Sequence, residues 1–359
     1  MYELTNSLDT VRVTEASARS FLHAFFTGLG TNEDEARINA DGIVTAALWW
    51  HPGQGQGFEK LPRYARRLQG GGLVGQAPMS WVTDRTSTAL LDGAKGLGYV
   101  SAHRAMAKAI EKAKVSGIAM VAVQHSNHFG VAGYHAMHAA EEGLIGVAMT
   151  NAGAEMAPWG AAQPVLGTNP WGLAVPRTDH VPIVLDMALT QSGKGMMRWF
   201  QREGLPIPEN WALTPEGCRT TDAADANDGS LLPIGDYKGY GLSLFTDVLT
   251  GVLSGSLFGT DVFQDEANFD VAHTMIAIDI EAFMDRATFD SRLQRLIDQV
   301  LSAPPIDPSR PIQLPGEAEQ LRAAERQLLG IPLHRELFQT LAELSESIDV
   351  PFLLEPIIP

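Results

Sequence analysis

The sequence of 359 residues predicts a mixed α/β fold. Three observations predict it: helix signals near the N-terminus, short apolar runs that alternate with helical segments through the middle, and helical patterns that return toward the C-terminus. Hydrophobic residues make up 45% of the chain and charged residues 19%. A chain of this length and composition can bury a substantial core and is long enough for two domains.

The first two elements are expected to be helices. Thr14 can cap a helix that runs to about Gly28. Asn32, followed three residues later by Glu35, forms a capping-box pattern that predicts a second helix to about Leu48.

The middle of the chain predicts a strand–helix–strand unit. A helix-like run over 101–115 precedes the apolar strand 118–123, and a helix over 131–142 ends at Gly143, before the apolar strand 144–149. The same criteria predict further strands at 173–175, 183–185 and 275–280 and helices at 240–253 and 317–329.

Composition narrows the function classes. A formal charge of −16 and a pI near 5.0 argue against a nucleic-acid partner, which requires clustered Lys and Arg. Cys218 is the only cysteine, so the chain has no intramolecular disulfide and no cysteine-built metal site. Residues 1–10 lack a signal-peptide pattern and no apolar run is long enough to span a membrane, so a cytoplasmic protein is expected.

The loop 124–130 leads into a helix that opens with small residues around Gly130 and Gly133. Unpaired N–H groups and the helix dipole make such an end suitable for a phosphate. The spacing is not that of a Rossmann glycine motif, and no acidic residue follows the second strand to bind a ribose. A glycine-rich turn needed only for packing is therefore the alternative.

Four histidines in two H-x-x-H pairs raise the possibility of a zinc site: His125, His128, His135 and His138. No acidic ligand lies at a suitable spacing beside the first pair, so the sequence predicts no metal. A metal-dependent hydrolase that uses His125 and His128 is the alternative from another functional class.

Two other residues are candidates for acid–base chemistry. The run 49–57 packs one proline and three glycines into its last six residues, which predicts a loop that presents His51. Asp186 is the one acid in the apolar run 181–188, and its burial requires a donor or a cationic imidazole. A surface histidine and a helix-capping aspartate are the alternatives.

Lys238 lies between Gly235 and Gly239, where a phosphate or carboxylate can approach the ammonium group. A lysine in a turn before a helix is the simpler interpretation. The segment 314–317 opens another helix whose N-terminal N–H groups are available to an anion.

Taken together and in order, these segments resemble the type-2 malate/L-lactate dehydrogenase family, which includes sulfolactate, ureidoglycolate and diketogulonate dehydrogenases and piperideine-2-carboxylate reductases. The resemblance covers nearly the whole chain. Its matching segments are Leu61–Tyr64, His125–Gly133, Met149–Asn151, Ala157–Gly160, Leu166–Pro170, Val184–Ala188, Pro233–Leu242 and Leu314–Glu317.

The resemblance implies a non-Rossmann sheet domain that binds NAD or NADP, closed by a discontinuous helical domain, in a homodimer. Residues 1–75 would form the helical substrate domain, completed by about 236–260 and 310–359. Residues 76–235 with about 270–309 would form the NAD(P)-binding sheet domain. The implied reaction is hydride transfer between nicotinamide and a small 2-oxo or 2-hydroxy acid, or a cyclic 2-imino acid.

Carried over residue by residue, the resemblance makes His51 the proton donor, Asp186 its supporting carboxylate and His128 the alternative acid–base residue. Lys60 and Thr168 fall at substrate-binding positions. The cofactor-binding positions are His128, Phe129, Gly130, Val131, Ala132, Asp186, Met187, Ala188, Lys238, Gly239, Pro315, Gly316 and Glu317.

This sequence departs from the family pattern at three positions. Trp50 replaces the serine before the catalytic histidine, in a loop that is longer than usual, and Ala152 replaces a serine common after Thr-Asn. Lys60 stands where the family has a carboxylate-binding arginine, and lysine lacks the bidentate fork. A member that binds cofactor but has altered catalysis is therefore a further alternative.

Overall fold

The computed structural model describes residues 9–49, 57–265, 267 and 269–357. Trp50 and His51 lie outside the described residues, so the predictions for the loop that carries them are not addressed by the fold itself.

The helices of the described residues agree with the predicted ones and add several that the sequence patterns did not indicate. They are α1 (Glu15–Gly28), α2 (Glu33–Trp49), α3 (Leu61–Gln69), α4 (Gly98–Ser116), α5 (Ala132–Glu141), α6 (Lys194–Glu203), α7 (Ala223–Asp228), α8 (Tyr237–Asp247), α9 (Arg286–Leu301), α10 (Glu317–Leu329) and α11 (Arg335–Ser347). A π-helical turn, Val248–Val252, continues α8.

The strands form one large sheet and two small ones. They are β1 (Thr10–Val13), β2 (Ser80–Asp84), β3 (Thr88–Asp92), β4 (Ile118–Ser126), β5 (Ile145–Thr150), β6 (Trp171–Arg177), β7 (His180–Met187), β8 (Ala212–Leu213), β9 (Ser230–Leu231), β10 (Val271–Ile278) and β11 (Ile331–His334).

The large sheet has the order β2-β3-β4-β10-β5-β6-β7. Only β3 and β4 pair in parallel, and the other neighbouring strands are antiparallel. The predicted strand–helix–strand unit is present, but β10, from more than 100 residues later in the chain, lies between its two strands. This mixed order differs from the all-parallel sheet of a Rossmann fold. Strand β7 forms one edge.

The predicted N-terminal helix caps are confirmed. The Thr14 side chain accepts a hydrogen bond from the Ser17 N–H, and Asn32 Oδ1 accepts one from the Glu35 N–H at 2.9 Å. Only half of the capping box forms, because Glu35 Oε2 instead accepts the N–H of Gln76. This bond connects α2 to the segment that leads into the large sheet.

One hydrophobic core joins the helices at the two ends of the chain. It contains residues of α1, α2 and α3 together with residues 331–354, and β1 pairs with β11 beside it. A second core lies between the large sheet and the helices α4 and α5. A third, smaller core packs α6 against α7.

The segment 236–260, expected to complete the helical domain, makes contacts with the large sheet, and the domain division stays a prediction. Helix α8 and its π-helical turn lie on the sheet: the indole of Trp171 donates to Thr246 Oγ1, and Thr274 Oγ1 donates to the Leu249 carbonyl. This segment therefore packs against the sheet layer. No helix of the described chain is long and apolar enough to cross a membrane.

Candidate active site

Strand β7 brings together segments that are far apart in the sequence. The Val184 N–H donates to the Pro315 carbonyl at 3.2 Å. Gly316 has a φ of 90°, and a Cβ there would lie 2.8 Å from the Val184 carbonyl oxygen. Glycine is required at this turn because a side chain would meet backbone and strain the left-handed conformation.

The end of β7 makes a second such junction. The Leu189 carbonyl accepts the Ile234 N–H at 3.0 Å, and a Cβ on Gly239 would lie 2.6 Å from that same oxygen. The Leu189 N–H donates in turn to the Thr168 carbonyl. The three segments expected to contact the cofactor, 186–188, 238–239 and 315–317, therefore lie close to β7 or to the chain directly after it.

Two cavities flank this strand, and Asp186 lines both. The larger, of about 440 Å³, lies between α2, α10 and β7 and includes Pro315 and Gly316 in its wall. The smaller, of about 150 Å³, is lined by Lys60 and Thr168 and by the start of α6. The two cavities form a divided crevice beside β7.

The Asp186 carboxylate accepts the Gly133 N–H at 2.9 Å. Burial raises the pKa of Asp186 to about 7; the Gly133 hydrogen bond opposes that shift and the Glu319 carboxylate adds to it. A carboxyl with such a pKa exchanges a proton near neutral pH. Asp186 thus contacts the start of α5 and also faces the crevice.

The glycines around this helix start are needed for packing. A Cβ on Gly130 would lie 1.7 Å from the Tyr99 hydroxyl oxygen, and one on Gly133 would lie 2.9 Å from Asp186 Cβ. One N–H expected to face a phosphate is bonded to Asp186 instead. Gly130, Val131 and Ala132 nevertheless line the smaller cavity.

Phe129 has little room to contact a ligand with its side chain. Its ring is 1% exposed and stacks between the rings of His135 and His273, each with a centroid distance of 4.7 Å. Its carbonyl is bonded to His135 Nε2 at 2.7 Å. Phe129 therefore fixes the path of the chain into the 130–132 segment.

His128 lies beside Tyr64, whose hydroxyl is 2.8 Å from Nδ1. Burial holds the pKa of His128 well below its usual range, and the nearby cations Lys60 and Arg63 lower it further. Burial also raises the pKa of the Tyr64 phenol. The pair is consequently neutral at physiological pH.

The other histidines of the predicted cluster lie in separate environments. His125 is exposed and lies 3.2 Å from Asp92, whereas His135 is buried against Phe129. His138 contacts Glu141 and packs its ring edge-on against His103. No group of three potential metal ligands is present among the described residues.

With this geometry in view, comparison with known proteins decides the family. The family model described as malate/L-lactate dehydrogenase matches residues 13–342. The chain belongs to this family. It is therefore an oxidoreductase, and the family resemblance noted in the sequence is confirmed.

The chain is 38% identical to malate dehydrogenase of Pyrococcus abyssi over 349 residues, covering 95% of this chain and 96% of the relative. It is 36% identical over 275 residues to a (2R)-3-sulfolactate dehydrogenase (NADP(+)) of Chromohalobacter salexigens, covering 75% and 81%.

Among solved structures, malate dehydrogenase from Pyrococcus horikoshii OT3 has a TM-score of 0.88 at 35% identity, covering 99% of this chain and all of that one. The Δ1-piperideine-2-carboxylate reductase of Pseudomonas syringae pv. tomato has a TM-score of 0.81 at 26% identity, covering 93% and 99%. The expected fold is confirmed.

Within the family framework, the substitution of lysine at position 60 leaves a half-buried cation in the smaller cavity. Burial lowers the pKa of the Lys60 ammonium; Glu155 opposes this and Arg198 adds to it. Thr168 lines the same cavity. The two expected substrate-binding residues are thus brought together.

His51 lies outside the described residues, but described residues on both sides of it line the two cavities. Trp49, the last residue of α2, lines the larger cavity, and Lys60, three residues after the described chain resumes, lines the smaller one. Arg322 donates to the Trp49 carbonyl, which connects the end of α2 to α10. Trp49 and Lys60, the described residues on the two sides of His51, therefore lie beside the candidate site.

Lys238 and Glu317, two of the expected cofactor-binding residues, line neither cavity. Lys238 is exposed in the first turn of α8. Glu317 turns back to accept the Leu314 N–H at 2.8 Å and so stabilises the turn before α10. Met187 pairs with Trp171 in the sheet, immediately before Ala188, which lines the smaller cavity.

Four residues beside the site were not predicted from the sequence: Tyr64, Glu155, Lys194 and Arg198. Lys194 and Arg198 have the i, i+4 spacing that places both on one face of a helix, so a helical prediction for 194–203 would have paired them. Tyr64 belonged to a matching segment but had no assigned role. Glu155 lies in a loop and gave no pattern.

Proposed function

We propose that this protein transfers a hydride between NAD or NADP and a small 2-oxo or 2-hydroxy acid, or a cyclic 2-imino acid. The observation that carries the proposal is that 186–188, 238–239 and 315–317 lie close to β7 or to the chain directly after it, beside a cavity that contains Lys60 and Thr168. The relatives' names support the substrate class: malate and 3-sulfolactate are 2-hydroxy acids, and piperideine-2-carboxylate is a cyclic imino acid.

The residues present fit a dinucleotide. Gly316 keeps a side chain away from β7, and two cavities of about 440 and 150 Å³, which share Asp186 in their walls, could each take one part of an extended ligand. When bound, the nicotinamide supplies or accepts the hydride. Pro315 and Gly316 would hold one part of the dinucleotide in the larger cavity, and residues 130–132 and Ala188 would hold the other part in the smaller one.

Lys60 would bind the substrate carboxylate as a point charge, and Thr168 would orient the substrate beside it. The half-buried position of Lys60 strengthens this attraction, because a charge pair gains more where water is partly excluded. These contacts would orient the substrate in the cavity and exclude water from one side of it.

We propose His51 as the group that donates a proton during reduction and accepts it during oxidation. Trp49 and Lys60, the described residues on either side of it, line the two cavities, and Asp186, with a pKa of about 7, can exchange or stabilise a proton there. His128 is less suited to this role, since its lowered pKa leaves little of the protonated form at neutral pH. In the Nε2–H tautomer, His128 Nδ1 accepts the Tyr64 hydroxyl and helps position the cavity wall.

The proposal also includes a homodimer. Helix α8 and the chain after it expose large apolar side chains, among them Phe245 at 64% and Leu253 at 59%. Several exposed large apolar side chains within one short segment are typical of a protein interface.

Activity assays test the proposal directly. Purified protein should oxidise NADH or NADPH in the presence of at least one member of a panel of 2-oxo acids and cyclic imines. Failure with both cofactors and every substrate would refute the proposed function.

His51→Ala separates chemistry from binding. The variant should lose about a hundredfold or more in kcat, the usual contribution of a general acid–base residue, while the cofactor Kd stays within about twofold. His23→Ala, a histidine on α1 that pairs with Glu33 and lines neither cavity, is the matched control and should keep full activity. Full activity of His51→Ala, or loss of cofactor binding, would assign the proton to another residue.

The substitutions at positions 50 and 60 favour one second candidate: a family member that binds cofactor without turning over substrate. Tight binding of NADH or NADPH, with no turnover on the panel, is the result expected of it. The metal-dependent hydrolase is not proposed, because the four histidines of the cluster contact different partners in the described structure.

A further inference from the structure

The smaller cavity contains more positive charge than one substrate carboxylate requires. Its lining includes Lys60, Lys194 and Arg198, against the carboxylates of Glu155 and Asp186. Because the pKa of Asp186 is about 7, that group is only partly ionised at neutral pH. The three basic side chains of the lining therefore outnumber the two acidic ones.

The three cations are not equivalent. The Lys194 ammonium donates to the carbonyls of Ala226, Asn227 and Gly229 at 2.6–2.7 Å, so its three protons are used to stabilise the end of α7. Lys60 and Arg198 form no hydrogen bond or ion pair with any part of the chain that the structure describes. These two are the cations available to a ligand in this cavity.

The position of Arg198 is set by the packing of α6. Met196, Met197, Trp199 and Phe200 are buried in the small core with α7, which directs the face that carries Lys194 and Arg198 toward the cavity. Gly193 and Gly195 line the same cavity, so the N-terminal turn of α6 also adds partial positive charge there. An exposed guanidinium held in this way offers a planar fork for a second anionic group.

We propose that Arg198 is a specificity-determining residue that binds a second acidic group of the substrate, a carboxylate or a sulfonate, while Lys60 binds the carboxylate next to the reacting carbon. This inference rests on the proposed function. The preferred substrate class is then a dianionic 2-oxo or 2-hydroxy acid rather than a monoanionic or cyclic imino acid. Glu155 opposes the two cations and limits how strongly the empty cavity attracts simple anions.

Reduction of oxaloacetate and of pyruvate, with the cofactor that the enzyme accepts, tests the assignment. In Arg198→Gln, kcat/KM for oxaloacetate should fall about tenfold or more, the loss expected for one charge-assisted hydrogen bond, while kcat/KM for pyruvate changes less than about twofold. Arg198→Lys should restore part of the loss, because the charge remains but the fork does not.

Arg202→Gln is the matched control. Arg202 lies four residues further along α6, is exposed, pairs with Glu203 and does not line the cavity. Its substrate preference should equal that of the wild type. An unchanged oxaloacetate-to-pyruvate ratio in Arg198→Gln, or an equal fall for both substrates, would overturn the assignment.

A binding measurement separates this inference from the proposed function. Calorimetric titration with L-malate and with L-lactate, in the presence of oxidised cofactor, requires no turnover. Arg198→Gln should weaken L-malate binding about tenfold and leave L-lactate binding unchanged. If the wild type turns over no substrate but shows this difference, the proposed reaction fails and the anion site stands; equal weakening of both ligands refutes the anion site.

Discussion

Asp186→Asn should make the protein more stable at pH 8 while it impairs catalysis. In the folded protein the pKa of Asp186 is about 7, against 3.8 for a solvent-exposed aspartate, chiefly because the carboxyl is buried. Between about pH 4 and pH 7 the unfolded chain releases this proton and the folded chain retains it. Folding stability therefore falls as pH rises through this window, and the full penalty remains above pH 7.

The rise of the Asp186 pKa from 3.8 to about 7 corresponds to a loss of folding free energy of about 4 kcal/mol at most, at 1.36 kcal/mol per pKa unit. Allowing for solvent at the cavity wall reduces this to about 2–4 kcal/mol. The asparagine carbonyl can still accept the Gly133 N–H, so the start of α5 keeps its hydrogen bond. The amide carries no charge, so its burial has no ionisation penalty at any pH.

Urea unfolding of wild type and variant at pH 5 and pH 8, at one protein concentration, measures the effect. The variant should be more stable by about 2–4 kcal/mol at pH 8, with a gain at pH 5 that is smaller by about 2 kcal/mol or more. A variant that is equally stable or less stable at pH 8 would show that Asp186 is ionised without cost in the folded protein. The account of its burial would then be wrong.

Two further predictions concern the turn at the crevice and the apolar face. Gly316→Val should raise the cofactor KM at least about fivefold and destabilise the protein by about 1–3 kcal/mol, because a Cβ would meet the Val184 carbonyl at a φ of 90°. Unchanged kinetics would show that this turn is not part of the cofactor site. Phe245→Glu should convert a dimer to a monomer in sedimentation experiments, since it places a charge on the exposed apolar face, whereas Ile306→Glu, an exposed control in the loop between α9 and α10, should stay dimeric. A Phe245→Glu dimer as stable as the wild type would show that subunits associate elsewhere.

The elements that local patterns specify could be predicted from the sequence. Helices α1 and α2 begin where the side chains of Thr14 and Asn32 can cap them, and α10 spans 317–329 as expected. Capping, helical periodicity and short apolar runs depend on neighbouring residues, so one sequence contains the information. The strand–helix–strand unit around α5 was predictable for the same reason.

Long-range pairing could not be predicted in this way. Strand β10 lies between β4 and β5 because its two edges complete hydrogen bonding with strands more than 100 residues away, and no local pattern encodes that choice. The packing of α8 against the sheet depends on contacts such as Trp171 with Thr246, which are 75 residues apart in the sequence.

The candidate site shows the same difference between features that the sequence predicts and features that depend on long-range packing. The family resemblance placed Lys60, Thr168 and Asp186 together, and the structure shows these three around one cavity. The glycines at the helix start 130–133 predicted a phosphate site, but in the structure they accommodate Tyr99 and Asp186. Arg198 became visible only when the burial of the other face of α6 fixed its direction.

Isotope transfer distinguishes direct hydride transfer from any other route of reduction. The enzyme would be incubated with a 2-oxo acid that it reduces and with reduced cofactor that carries deuterium on the transferring face of nicotinamide C4, and the product would be analysed by mass spectrometry. Direct hydride transfer predicts that the hydroxy acid gains a single deuterium at C2 in the wild type and that His51→Ala forms almost no product. Product without deuterium, with cofactor labelled on either face in turn, would contradict the account.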